Sequence, residues 1–461
     1  MQPVLSSVLL RGLGALAGDP EIASVVTDSR EAGPGSLFVC IRGERVDGHD
    51  YALRALEAGA AGVVVQRPVP GVPPEKCVQV PDALDAMIRL GANYRALYSP
   101  LLAGVTGSVG KTTTKEFCYA VFSAFGKTLR TQGNQNNEIG VPATILAADE
   151  DTEVLIVELG MRGMHQIEHL CTFVKPSMAV VTNIGVSHME LLGSRENIAR
   201  AKSELLAALP ATGFAVLNAD DEFTPLLERF AQVDERGVKV HSYGFSPDAE
   251  VRAMSVSYDA EACASFEVVA GSADPVSVRL SIPGKHNISN ALAAYAAGLN
   301  MGIEPDDIAR GLVEAKASGM RMEIMHAPGG VTVVNDAYNA NPDSMRASIS
   351  TLSTLEGSGR RIAVLGDMGE LGSDEYQLHV DVGTFAAQAD LDMLVCVGTL
   401  SVGIKSGALA ADMDAARVKS FTGVDEARQF LERYVQEGDI VLVKASRFME
   451  LERIVKGIMQ S

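Results

Sequence analysis

The segment GVTGSVGKTTTKEF at 104–117 limits what this chain can fold into more than any other. It continues an apolar, β-branched run (LLAGVT) and opens a helical pattern. Binding phosphate at such a strand–loop–helix turn needs several backbone N–H groups converging without Cβ obstruction, and Gly107 and Gly110 allow that. Lys111 adds a point charge for the β- and γ-phosphates, and the Thr112 hydroxyl can ligate Mg²⁺. Gly107, Ser108, Val109, Gly110, Lys111, Thr112 and Thr113 are therefore expected to hold the phosphates of ATP or GTP. The common form of this loop has Gly where Val105 stands. The bland alternative is an incidental glycine-rich turn, which the strand–loop–helix order disfavours.

The surrounding rhythm is α/β. VLIVEL (154–159), MAVVTN (178–183) and FAVLNA (214–219) are unbroken apolar strands separated by helical lengths, as in a parallel sheet covered on both faces. The stretch near 236–282 alternates with period two (VKVHSYGF, CASFEVVA, VSVRLSIP), which predicts an antiparallel edge, and an Ala-rich helix follows at 288–300. Ahead of this unit, SLFVCI (36–41) and AGVVVQ (61–66) are short strands, PVPGVPP (68–74) is a loop, and DALDAMIRLGANYRALY is a helix ending at Ser99–Pro100. MQPVLSSVLLRGLGALAG reads as a short first helix rather than a signal peptide, since it lacks a basic start and Arg11 and three glycines interrupt it. Beyond Ser318, VTVVND (331–336), RIAVLGD (361–367), DMLVCVG (392–398) and DIVLVKA (439–445) predict a small doubly wound domain. The expected fold is α/β in three domains, at 1–98, 99–317 and 318–461, in keeping with a chain of 461 residues.

Composition narrows the partners. Lys plus Arg number 39 against 58 Asp plus Glu, a net charge of −19, with no Trp, so nucleic acid is not an expected partner. Six cysteines are scattered without a CxxC, and no apolar stretch approaches membrane-spanning length. A soluble protein of a reducing cytoplasm is expected.

Several further residues carry chemistry only in context. Glu158 ends VLIVE; alone it reads as a solvated strand terminus, but beside a phosphate loop it reads as a Mg²⁺ ligand. His188 follows MAVVTN and the loop IGVS, at a strand edge where open α/β sheets place ligands, yet a lone His is more often structural. Lys202, in SRENIARAKSELL, would by itself be a surface lysine. Asn287 and Asn290 of GKHNISN share a helix face and could address a base edge; an N-cap plus a buried polar residue is the equal alternative. Arg321 and Asp336 could close on a nucleotide from beyond the second boundary, or be surface charges.

In this order these residues resemble the Mur ligase family, the ATP-dependent amide-bond ligases of peptidoglycan precursor synthesis. The family's TGxxGKT matches Thr106 to Thr112, and Glu158, the His of IGVSHMELLGS, the Lys of IARAKSE, HNxxN, Arg321 and the Asp of NDAYNANP are all present. TQGNQNNEIGVP (131–142), DAYNANPDSM (336–345) and GDMGELG (366–372) resemble the branch that adds D-alanyl-D-alanine to a UDP-N-acetylmuramoyl-tripeptide. The third-residue-adding branch carries DNPR, which is absent here.

The resemblance implies roles. The phosphate loop holds ATP; Thr112 and Glu158 bind one Mg²⁺ and His188 a second, with Lys202 carbamylated into a carboxylate-like ligand. Asn287 and Asn290 meet adenine, Arg321 the phosphates and Asp336 the ribose. Ser29, Arg30, Asp47 and His49, in TDSREAGPGSLFVCIRGERVDGHDY (27–51), lie in the expected UDP segment. Asn134, Asn136 and Asn137 are expected near the muramoyl-peptide. A monomer that closes its third domain onto the second is implied. The loops GDMGELG and KASRFME (444–450) are candidates for the dipeptide by position alone. The rivals are the third-residue ligase, a folylpolyglutamate-synthase-like ligase and a nucleotide-binding subunit without catalysis.

Overall fold

The computed structural model describes residues 1–43 and 46–460, so Glu44 and Arg45 of the expected UDP segment lie outside the described residues. Three main sheets succeed one another, with strands within 24–79, 101–283 and 323–444.

The first is parallel throughout, with Ser24–Val26, Ser36–Val39, Gly62–Val65 and Cys77–Gln79 in chain order. SLFV and GVVV are buried at every position, as expected of strands covered on both faces. Helix Ala83–Arg95 follows, its start capped by the Asp82 carboxylate accepting from the Asp85 N–H at 2.8 Å. The expected first helix shrinks to one turn, Ser6–Leu9, flanked by strand Val4–Leu5. Gly12 and Gly18 sit at φ 78° and 76°, which ends any continuation, and Asp19 folds back to accept from both Ser6 and Ser7.

The central sheet has nine strands. From one edge, Thr128–Arg130, Val154–Glu158, Leu101–Thr106, Met178–Val181, Phe214–Asn218 and Lys239–Gly244 are mutually parallel. This corrects the expectation for VKVHSYGF. A helix crossover (Thr224–Ala231) returns that strand in the same direction, and antiparallel pairing begins only among Val251–Tyr258, Cys263–Ala270 and Val276–Pro283. The phosphate-loop helix, Lys111–Phe122, packs under the Ala-rich helix His286–Asn300, which is buried from Ile288 through Gly298 apart from Ser289.

The third sheet has six strands rather than four. Val331–Asp336, Ile440–Lys444, Arg361–Gly366, Met393–Val397 and Val418–Phe421 are parallel, and Glu323–Ala327 adds an antiparallel edge. The two extra strands lie at the sheet's edges, where part-exposed sequences such as VKSF lack the apolar run that marks inner strands.

Candidate active site

The loop after Leu101–Thr106 leaves the third strand from the Thr128–Arg130 edge, and its glycines are obligatory. A Cβ on Gly107 would lie 1.8 Å from Thr182 Oγ1, and one on Gly110, at φ 83°, would lie 2.3 Å from Asn290 Oδ1. The neighbouring strand end fixes the loop: the Ser108 N–H donates to Asn183 O at 2.9 Å, the Val109 N–H to Asn183 Oδ1 at 3.0 Å, and the Thr182 hydroxyl to Val109 O at 2.6 Å. Lys111 Nζ donates to Gly107 O at 2.8 Å and Ser108 O at 3.3 Å. The buried Ser108 hydroxyl has no partner among the described residues, and its residue lines the adjoining cavity, so it is a donor and acceptor left available there.

That cavity, about 1020 Å³, lies between the central and third sheets. Ser108 through Thr113, Glu158, His188, Lys202, Asn287, Asn290, Arg321, Asp336, Asn134, Asn136 and Asn137 all reach its wall, brought together from positions more than two hundred residues apart. Glu158 is 2% exposed, so it is no solvated strand terminus. Its Oε2 accepts from the Thr112 hydroxyl at 2.9 Å and its Oε1 from Asn136 Nδ2 at 3.0 Å. A hydroxyl and a carboxylate oxygen converging beside a phosphate loop make a hard-oxygen donor set suited to Mg²⁺.

Lys202 is no surface lysine either: it is 2% exposed and its Nζ donates to Gly107 O at 2.9 Å. Burial, then the nearby charge of Lys111, pushes its amine well below the usual lysine range. Lys111 is lowered by burial, opposed by Glu158, with Arg321 adding to the depression. Arg321 therefore acts on the phosphate lysine from the third unit, its guanidinium lying 4.1 Å from the Tyr338 ring centroid. His188 adopts a left-handed backbone (φ 65°), and its Nδ1 stands 2.6 Å from Glu370 Oε2, off the line of a hydrogen bond. Two more contacts join the units: Asn341 Nδ2 to Ser187 Oγ at 2.6 Å, and Arg162 to Glu370 at 3.3 Å.

Asn287 and Asn290 pair with one another at 2.8 Å; Asn287 also donates to Pro283 O at 2.7 Å, and Asn290 accepts from Thr114 at 3.2 Å. Neither caps the helix, because Lys285 occupies the cap position without a side-chain bond. Asp336 carries an unforeseen partner: its Oδ2 accepts from buried Lys444 at 2.5 Å and from Ser348 at 2.7 Å, and its Oδ1 from the Met322 N–H at 3.2 Å. About one of a carboxylate's four acceptor sites is left.

The UDP-segment candidates stand elsewhere. A second cavity of about 310 Å³ is lined by Val25, Val26, Thr27, Glu31 and Met87 with Asn134 and Asn137, and Ser29, Arg30, Asp47 and His49 reach neither cavity. Arg30 is exposed and clamps Asp28. Asp47 caps a short helical turn by accepting from His49 N–H, and His49 Nδ1 returns to Asp47 Oδ1 at 2.6 Å. His49 Nε2 accepts from the Gln66 N–H at 2.9 Å, so this pair ties a loop to a strand end. Asn134 and Asn137 border both cavities, while Asn137 also caps Gly140–Leu146 through the Ile139 and Gly140 N–H groups.

Sequence reasoning overlooked Asn183, and it reached Lys444 and Glu370 only as members of the loops KASRFME and GDMGELG, without their partners. Asn183 was signalled by a polar residue ending an apolar strand, and Lys444 by a lysine closing the buried run IVLVK. For Glu370 only its loop was signalled, since its partners Arg162 and His188 lie in the other unit.

Known proteins share this arrangement. Residues 21–95 match the Mur ligase family catalytic domain, 105–298 the Mur ligase middle domain and 320–447 the Mur ligase glutamate ligase domain. The UDP-N-acetylmuramoyl-tripeptide–D-alanyl-D-alanine ligase of Bacillus subtilis is 39% identical across 95% of this chain and 94% of its own. The chain belongs to the Mur ligase family. Among solved Mur ligases, MurF from Acinetobacter baumannii superposes with a TM-score of 0.88 at 31% identity, covering 100% of this chain and 99% of that one. MurF from Thermotoga maritima, solved with ADP, gives 0.81 at 28% identity, covering 95% and 97%. A 2,6-diaminopimelate-adding ligase and the folylpolyglutamate synthase of Mycobacterium tuberculosis, each 18% identical, share the fold alone.

Proposed function

We propose that this protein is an ATP-dependent, ADP-forming ligase that joins D-alanyl-D-alanine to UDP-N-acetylmuramoyl-tripeptide in peptidoglycan precursor synthesis. The observation that carries this reading is one cleft in which Lys111, Lys202 and Arg321 crowd the phosphate loop, in a chain alike over its whole length to ligases of that name. We take its units as 1–98, 99–317 and 318–461, and place it in the cytoplasm as a monomer. All six cysteines are unpaired, and no helix among the described residues is long and apolar enough to cross a membrane.

A carboxylate is a poor acyl donor, because an attacking amine would have to expel oxide. Transfer of the ATP γ-phosphoryl group to the tripeptide's C-terminal carboxylate supplies a phosphate leaving group. The dipeptide amine then attacks the acyl carbon, the tetrahedral adduct expels orthophosphate, and the amine's proton passes to solvent. Lys111 offsets charge on the γ-phosphate, and Arg321 approaches the same phosphates from the third unit. Thr112 and Glu158 would hold one Mg²⁺, which when bound supplies charge neutralisation between the phosphates. A second Mg²⁺ would rest on His188 and Lys202. An amine is no ligand to it while protonated, but the buried, weakly basic Lys202 amine suits carbamylation, in which the nitrogen adds to CO₂ and releases a proton. Asn287 and Asn290 face adenine with their remaining amide groups, and Asp336 offers its spare acceptor site to a ribose hydroxyl. The second cavity, which shares Asn134 and Asn137 with the first, receives the UDP-muramoyl portion. Closure of the third unit on the second, through Ser187–Asn341 and Arg162–Glu370, excludes water from the acyl phosphate.

The test follows the carboxyl oxygen. UDP-muramoyl-tripeptide labelled with ¹⁸O in its terminal carboxylate, incubated with ATP and D-alanyl-D-alanine, should deliver one labelled oxygen to the released orthophosphate. Unlabelled phosphate excludes the acyl-phosphate route. Release stimulated by a single amino acid on a dipeptide precursor, and not by D-alanyl-D-alanine, would move the chain to the third-residue ligases.

A further inference from the structure

Resting on that ligase reading, the question left is what grips the incoming dipeptide, whose free C-terminal carboxylate needs a cation in the cleft. Six lysine and arginine side chains line the large cavity: Lys111, Arg162, Lys202, Arg321, Lys444 and Arg447. Lys111 and Lys202 cluster at the phosphate loop, both Nζ atoms donating to Gly107 O, and Arg321 faces them from the Tyr338 ring across the cleft. Lys444 is consumed: it is buried, its Nζ bonded to Asp336 Oδ2 at 2.5 Å and Asn339 O at 3.0 Å. His286 adds no charge at neutral pH, because burial pushes its imidazole down to about 4. Two cations remain.

Arg162 belongs to the central unit, two residues after Gly160, where a Cβ would press on Asn136. It therefore stands on the side from which the muramoyl-peptide arrives past Asn134 and Asn137. Arg447 comes from the opposite wall, in the turn after strand Ile440–Lys444. The turn is fixed. The Ser446 hydroxyl accepts from the Gly369 N–H at 2.9 Å, and the Ser446 N–H donates to Asp367 O at 3.0 Å. Arg447 Nη1 donates to Glu452 Oε1 at 2.7 Å, which orients the guanidinium and leaves its other N–H groups for a planar acceptor. Its charge reaches the Tyr338 hydroxyl, on the ring that carries Arg321. Beside it Phe448, 63% exposed, lays its ring edge where a Cβ on Gly369 would meet it at 3.0 Å. An apolar ring next to a half-exposed guanidinium complements a short peptide with methyl side chains and a terminal carboxylate.

We propose that Arg447 and Phe448 form the acceptor subsite, Arg447 binding the dipeptide's C-terminal carboxylate and Phe448 packing on its methyl groups. Arg447→Gln, made in the full chain, should raise KM for D-alanyl-D-alanine by roughly 10- to 100-fold, the loss of a charge-assisted pair. KM for ATP and for UDP-muramoyl-tripeptide should stay within about twofold of wild type, the scale of an uncoupled site. The diagnostic probe is D-alanyl-D-alanine amide, which lacks the carboxylate. Wild type should favour the acid, Arg447→Gln should treat acid and amide alike, and Arg447→Lys, keeping the charge on Glu452, should retain part of the preference. Phe448→Ala should weaken both probes equally. The subsite is overturned if Arg447→Gln still discriminates acid from amide, if its KM rises for the UDP substrate instead, or if Arg162→Gln erases the discrimination. Wild type releasing phosphate without any response to the dipeptide overturns the ligase reading as well, and so stands apart from those results.

Discussion

Gly110→Ala separates the geometry of the phosphate loop from its charge. At φ 83° the alanine pays a left-handed backbone cost of about 1–2 kcal/mol. Its methyl would also lie 2.3 Å from Asn290 Oδ1, and ordinary contact begins at 3.4 Å, so the amide must retreat by 3.4 − 2.3 = 1.1 Å. A retreat of that size breaks the 3.2 Å bond from Thr114 and disturbs the 2.8 Å bond to Asn287, all within a buried cluster. Losing one such bond costs about 1–3 kcal/mol when a buried partner is left unsatisfied. Together these give about 2–5 kcal/mol, concentrated in the loop, and an ATP affinity weakened about 30-fold or more. Titration calorimetry with ATP and Mg²⁺ reads the affinity, and thermal melting reads what falls on the fold. Gly133→Ala is the control, since it shares a positive φ of 53° but has nothing within 4 Å of the added methyl, and should leave ATP binding near wild type. Removing the obstructing amide in Gly110→Ala/Asn290→Ala should give less than the sum of the two single losses. Wild-type affinity in Gly110→Ala, or a strictly additive double mutant, would refute the steric argument.

Two further perturbations address the buried lysines. Lys202→Met should abolish turnover yet melt higher than wild type near neutral pH in bicarbonate-free buffer, because the fold no longer buries an ammonium precursor. The sign follows from its lowered folded pKa: the unfolded chain binds the extra proton below about 10.5, so wild-type stability climbs as pH rises toward that value and the variant's advantage shrinks; an advantage constant from pH 6 to 9 would contradict it. Lys115→Met removes a fully buried amine that donates to Thr131 O at 2.7 Å, while Arg130 still holds Glu116 at 2.6 Å. A loss of about 1–3 kcal/mol in urea unfolding is expected, with weaker ATP turnover because the Thr131 hydroxyl receives the Glu158 N–H; unchanged unfolding and turnover would make Lys115 incidental.

What could be read from the chain alone follows the range of the interactions. The phosphate loop was legible because its requirement is local: glycines spaced for N–H convergence, an adjoining strand, a lysine in the next turn. The strand, the glycine-constrained loop and the helix it calls for are all present. Inner strands were legible for the same reason, as VLIVE and IVLVK can only be buried on both faces. Edge strands such as Thr128–Arg130 and Val418–Phe421 were not, being short and half covered. The pairings in the site's second half were invisible because the partners are distant in sequence. Asp336 and Lys444 are separated by 108 residues, and Glu370 meets His188 only across two units. Asp47 and His49, which line neither cavity, show the opposite case. Both are short-range: a carboxylate two residues ahead of an imidazole builds a cap and a strand tie, and that local demand occupies both ring nitrogens and one carboxylate oxygen. A polar motif in a loop thus has two claimants, the backbone it must satisfy and the substrate it could meet. In this N-terminal sheet Asp47 and His49 serve the backbone, and the smaller cavity is lined instead by Thr27, Glu31 and the asparagines it shares with the larger one.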